Sequence, residues 1–153
     1  MSVARILIAD SDRAVSEMLQ IRLDVAGYHP LSARSGPGAL EIIRNMRPAA
    51  FVLDVAIPEL DAFELLAILQ RDRSRPPCPT LLIGKRLGVE EIKRAATLGV
   101  RTCMLKPFSG ADLLDRVAKM LKPTPQGLAV GERPSPPLGV AVSRTPAPEE
   151  FFI

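Results

Sequence analysis

Ala49-Ala50-Phe51-Val52-Leu53-Asp54-Val55-Ala56-Ile57-Pro58 decides how this chain folds. Apolar residues run up to Asp54 and turn formers follow it, which reads as a strand buried on both faces. An acid at the carboxyl end of such a strand sits where ligand crevices open in α/β sheets. Two other stretches end in the same way. Ile6-Leu7-Ile8-Ala9 runs into Asp10, and Cys103-Met104-Leu105 runs into Lys106, just ahead of Pro107. If those strands are neighbours, two carboxylates and an ammonium converge on one pocket. That combination suits a divalent cation and a phosphoryl group.

Outward from these strands, residues 4–121 alternate apolar runs with amphipathic stretches. After the first strand, Asp12 or Ser11 can cap a helix reaching about Ala26, with Val15, Met18, Leu19, Leu23 and Ala26 inward and Gly27 as its stop. A second strand covers Pro30 to Ala33, and the proline at its start marks a sheet edge. A helix from about Pro37 turns Ala39, Leu40, Ile43 and Met46 inward and ends before Pro48. Beyond Asp54 come a helix from about Ala62 to Arg73, a strand from Thr80 to Ile83 and a helix from Val89 to Leu98 stopped by Gly99. A strand from Thr102 to Leu105 and a helix from about Gly110 to Leu121 complete the series. Alternation at this spacing predicts parallel strands joined by right-handed crossovers. The expected fold is α/β, a doubly wound five-stranded parallel sheet in the flavodoxin-like order 2-1-3-4-5. In that order strands one and three flank the switch point, and the ends of four and five curve in beside it.

Composition narrows the function classes. The chain has 153 residues, enough for one domain and an appendage, and 47% of them are hydrophobic. The net charge of +3 comes from scattered basic residues rather than a patch, and aromatics are only 4% of the chain, so neither a nucleic-acid footprint nor a base-stacking platform is expected. No apolar run approaches the roughly 20 residues that cross a bilayer, and the N-terminal residues do not form a secretory signal. Cys78 and Cys103 lack metal-ligand spacing and read as reduced thiols of a cytoplasmic protein. His29 is the sole histidine. It falls in the turn before strand two, away from the pocket, so no Ser/His/Asp or Cys/His enzyme site can be assembled. Gly36-Pro37-Gly38 lacks the lysine of a phosphate loop and loses a donor at its proline, so it reads as a turn. At Pro123 the composition changes: residues 123–153 hold seven prolines and no periodic apolar face before ending in Glu149-Glu150-Phe151-Phe152-Ile153. The expected division is a domain at 1–122 and a Pro-rich, disordered tail at 123–153, with no room for a folded output domain.

Several of these motifs, in this order, resemble the receiver domain of bacterial two-component response regulators, over about residues 4–121. Ile6-Leu7-Ile8-Ala9-Asp10 resembles the family's first strand and acidic turn. Leu53-Asp54 through Pro58, Asp61 and Phe63 is similar to its phosphoacceptor loop and the helix that follows, and Leu105-Lys106-Pro107-Phe108 to its lysine-proline element, whose Lys-Pro bond is typically cis. The resemblance implies that Asp54 takes a phosphoryl group from a histidine kinase or phosphotransfer protein in a phosphorelay. It implies Mg²⁺ held by Asp10, Asp54 and Ala56, with Lys106 pairing with the phosphoryl oxygens. It also implies an output partner, a protein rather than nucleic acid or membrane, met through the helix 4–strand 5 face. The chain is then a signalling module and not an enzyme.

Three positions depart from the family pattern. Ser11 stands where a second acid is usual, Gly84 where a threonine or serine hydroxyl meets the phosphoryl group, and Cys103 where a switching aromatic is found. Ser11 weakens the cation site, and Gly84 uncouples phosphorylation from movement. Asp12 can cap the helix or reach the ion through water. Lys85, next to Gly84, is either a solvated loop residue or a counter-ion reaching Asp54. The alternative reading is therefore a degenerate pseudo-receiver that binds proteins without phosphorylation. A nucleotide- or flavin-binding domain of the same fold lacks the loop chemistry.

Overall fold

The computed structural model describes residues 3–74 and 78–121. The expected tail at 123–153 lies outside the described residues. The elements run β1 Arg5–Ala9, α1 Arg13–Val25, β2 His29–Ala33, α2 Gly36–Met46, β3 Ala50–Asp54, α3 Ala62–Arg71, β4 Thr80–Gly84, α4 Val89–Thr97, β5 Thr102–Leu105 and α5 Gly110–Leu121. The five strands are parallel and lie in the order β2-β1-β3-β4-β5, as the alternation predicts.

Strand alternation divides the core between the two faces of the sheet. Leu7, Ala9, Phe51, Leu53 and Leu82 point to one side, where Ile43 of α2, Leu65 of α3 and Ala95 of α4 cover them. Ile6, Ile8, Val52, Leu81, Ile83 and Met104 point to the other, against Leu19 and Leu23 of α1 and Leu113 and Val117 of α5. Both central strands, β3 and β4, are buried along their whole length, which is why they read as continuous apolar runs.

The helices begin where side chains supply the missing acceptors. Asp12 accepts from the amides of Ala14 and Val15, Ser35 from Gly38, and Asp61 from Phe63. Glu91 Oε1 reaches back to the Gly88 amide at the start of α4. Gly27 and Gly99 follow α1 and α4 with φ of 97° and 89°, a left-handed turn that stops each helix.

Some expectations need correction. Ala26 is exposed and closes α1 as its C-cap rather than facing the core, because the helix's apolar stripe ends a turn earlier at Leu23. Met46 is also exposed, in the last turn of α2. Gly36-Pro37-Gly38 is the first turn of α2, with its proline where an amide would have no partner anyway. His29 is the first residue of β2, exposed, and its amide donates to Ala4 O.

Candidate functional site

The sheet brings the carboxyl ends of β1, β3 and β5 to one crevice. β1 pairs with β3 directly, so Asp10, one residue past β1, stands beside the end of β3 and its Asp54. β3 and β4 lie between β5 and β1. Lys106 crosses that distance because its amide is fixed to Gly84 O of β4 at 2.8 Å, and its long side chain then reaches over the strand ends. The Lys106–Pro107 bond is cis, as the resemblance implies.

The Lys106 ammonium lies between the two acids, 2.7 Å from Asp10 Oδ2 and 3.1 Å from Asp54 Oδ2. All three side chains are almost removed from solvent. Asp54 Oδ1 accepts from the Ala56 amide at 3.1 Å, and Asp10 Oδ1 accepts from the Asp12 amide at 2.9 Å. These two amides hold each carboxylate with one oxygen turned toward the ammonium. The 2.7 Å contact of the ammonium with Asp10 Oδ2 is poorly aligned and is held chiefly by charge.

Two acids sharing one cation leave the cluster short of positive charge. Burial pushes the Asp10 carboxyl above its ordinary value, against the pull of Lys106 and the Asp12 amide, and the Asp54 charge adds to the rise. Burial acts to lower the Lys106 ammonium, but its hydrogen bonds and charge pairing with Asp10 and Asp54 outweigh it, and the group is raised. A deficit of positive charge between two buried carboxylates is what a hard divalent cation would satisfy. Asp10, Asp54 and the main-chain carbonyl of Ala56 would hold it. Among the described residues no group of three acidic, histidine or cysteine ligands assembles. Ser11 is exposed at the position of a third acid, so water and the phosphoryl oxygens would complete the shell.

The other singled-out residues fall around this cluster. Asp12 is the α1 N-cap. Lys85 is exposed, and the cation on Asp54 is Lys106 rather than Lys85. Gly84 ends β4, one residue beyond the partner of Asp54. Cys103 packs on the α2–α4 side of the sheet, its thiol pushed up to about 12 by burial.

Three features were not anticipated from the sequence. Glu59 adopts a φ of 75° in the loop after Asp54, a left-handed conformation that costs a side-chain-bearing residue. Arg94 of α4 lies 4.5 Å from the Phe63 ring centre of α3. Val55 sits directly against Gly84: a Cβ built on that glycine would meet Val55 Cγ1 at 2.6 Å. The turn pattern around Pro58 signals a loop but not its torsions, and the other two pair residues distant in sequence.

Comparison with known proteins places the fold in a family. Residues 6–118 match the family model described as response regulator receiver domain. The chain is 38% identical over 120 residues to response regulator MprA of Mycobacterium sp. (strain KMS), covering 78% of this chain and 51% of the relative. The MprA of Mycobacterium ulcerans is 39% identical over the same length. This chain thus spans about half the length of these curated relatives. Among solved structures, a putative response regulator from Chloroflexus aurantiacus is 29% identical with a TM-score of 0.72, covering 78% of this chain and 98% of its own. A CheY-like receiver domain protein from Methanospirillum hungatei is 25% identical with a TM-score of 0.74, covering 78% and 94%.

Proposed function

This chain belongs to the response regulator receiver family of two-component signalling, and on that premise we propose that Asp54 is its phosphoacceptor. The observation that carries the reading is the Lys106 ammonium held between Asp10 and Asp54 at 2.7 and 3.1 Å. An Asp54 carboxylate oxygen attacks the phosphorus of a phosphohistidine on a kinase or phosphotransfer protein. The Asp54 O–P bond forms as the P–N bond breaks, and the histidine leaves with the bonding pair. Lys106 is already placed to follow the charge from the carboxylate onto the phosphoryl oxygens. The Ala56 amide, on Asp54 Oδ1, fixes the rotation of the carboxylate so that Oδ2 faces the crevice. Mg²⁺, when bound by Asp10, Asp54 and Ala56, supplies neutralisation of the transferred group. With Ser11 in place of an acid its affinity is weakened.

The reading places the reaction in the cytoplasm, where the buried thiols stay reduced. No described helix is long and apolar enough to cross a membrane. An output protein is met on the α4–β5 surface, where Val89, Ile92 and Leu105 are 67%, 40% and 55% exposed. The test is amide NMR with beryllofluoride and Mg²⁺ on the wild type and Asp54→Ala. Shifts present in the wild type and lost in the variant support the acceptor. Their absence at millimolar Mg²⁺ removes it and leaves a phosphorylation-independent interaction module.

A further inference from the structure

We propose that the contact of Val55 with Gly84 holds the β4–α4 connection in one arrangement whatever the state of Asp54. The α4–β5 surface then presents the same apolar face to its protein partner with or without a phosphoryl group. The phosphate-dependent change falls instead on the α1 and α5 side. This inference rests on the acceptor reading above and specifies its regulation.

The steric half of the argument is local. A Cβ at residue 84 would lie 2.6 Å from Val55 Cγ1 and 3.6 Å from both Arg86 O and Leu87 Cγ. The space beside the end of β4 is therefore already filled, chiefly by Val55. Valine is stiff at χ1, so it cannot readily swing aside. Both partners are pinned through their main chains: the Val55 amide donates to Ile83 O at 2.8 Å, and Gly84 O accepts from Lys106 at 2.8 Å. Arg94 ties α4 to α3 through the Phe63 ring as well.

The polar half concerns who can sense a new charge on Asp54. A bound group shifts a conformation only through contacts that differ between the two states. The polar partners of the cluster come from β1, β3 and the end of β5: the Asp10 carboxylate, the Ala56 amide and the Lys106 ammonium. β4 offers no polar side chain at this end, since Ile83 is apolar and Gly84 has none, and the Lys85 side chain just past it is exposed. Phosphorylation draws Lys106 toward the new oxygens and away from Asp10. Lys106 leads through Pro107 into α5, and Asp10 holds the amide of Asp12, the cap of α1.

The experiment follows the full chain by amide NMR on adding beryllofluoride and Mg²⁺, with thermal melts of single and double variants. In the wild type, shifts are expected around Asp10–Asp12, Asp54–Ile57 and Lys106–Asp112 and not across Val89–Thr97. In Val55→Ala they should extend into Val89–Thr97. Wild-type shifts across α4, or no extension in the variant, would overturn the proposal. Absence of shifts anywhere would overturn the acceptor reading, and the melts then judge the contact alone. Gly84→Ala should lower Tm by about 5–10 °C in the wild type, and by less than about 2 °C when Val55 is already alanine. An equal loss in both backgrounds rules the lock out.

Discussion

Replacing Lys106 by methionine keeps the apolar stem and removes the ammonium from between two buried acids. At an effective dielectric of about 20, unit charges at the observed 2.7 and 3.1 Å attract by about 6 and 5 kcal/mol. Desolvation of the three groups offsets much of that. Removing one member of a buried pair costs about 3–5 kcal/mol net, because the remaining charge is left uncompensated. For a domain of this size each kcal/mol moves Tm by about 4 °C. Lys106→Met should therefore melt roughly 12–20 °C below the wild type at neutral pH, as read by circular dichroism. The deficit should shrink in mildly acidic buffer, since protonating either carboxylate removes the uncompensated charge and Asp10 is already raised by burial. Adding Asp10→Asn to the variant should recover part of the loss, because only Asp54 then lacks a partner. A deficit that stays the same from neutral to acidic pH, with no recovery in the double variant, would show that lost packing rather than charge is responsible.

Three other outcomes are expected. Because the folded Asp10 carboxyl is raised above its ordinary 3.8, the folded chain binds more protons than the unfolded one in the window above that value, and stability falls as pH rises through it. Asp10→Asn should flatten that decline and exceed the wild type in denaturant unfolding at neutral pH. At the alkaline end the raised Lys106 acts in the same direction: its contribution is complete below 10.5 and is lost as pH climbs through the folded value. Glu59→Gly should stabilise by about 0.5–1 kcal/mol, since φ of 75° suits glycine, and an unchanged melting temperature would count against strain there. Cys78 and Cys103, both pushed up from 9.0 to about 12 by burial, should alkylate on the order of a thousand-fold more slowly than a free thiol in mildly alkaline buffer. Modification at the free rate, followed by mass spectrometry, would show that the thiols open to solvent.

What the sequence disclosed depended on how local each signal was. The buried strands announced themselves because β3 and β4 are covered on both faces and tolerate only apolar residues. The convergence of Asp10, Asp54 and Lys106 followed from strand order, since each lies at a strand's carboxyl end and parallel strands present those ends together. Asp12 left two roles open until its acceptor geometry was seen, because capping and water-mediated ligation ask for the same side chain. Lys85 was ambiguous for another reason: proximity in sequence to Gly84 says nothing of the direction in which a loop side chain points. The reading of Gly84 as a plain deletion of a hydroxyl missed that Val55, in the turn just after the neighbouring strand β3, occupies the space. Contacts of that kind have no periodicity, so only the fold reveals them.

The two margins of the sheet carry a further consequence. The His29 amide donates to Ala4 O, so alternate residues of β2 face β1, and Pro30 falls among those directed outward. A free edge there is missing a donor. At the opposite margin, Arg116 lays its guanidinium on Thr102 Oγ1 and on Cys103 O, a carbonyl of β5 that no strand pairs. Edge strands left open invite another chain to add on, and with it fibrous or swapped assemblies. Here one border cannot complete the ladder and the other is covered by a charged side chain. Strand addition is disfavoured at both, which favours associations in which side chains rather than backbone choose the partner.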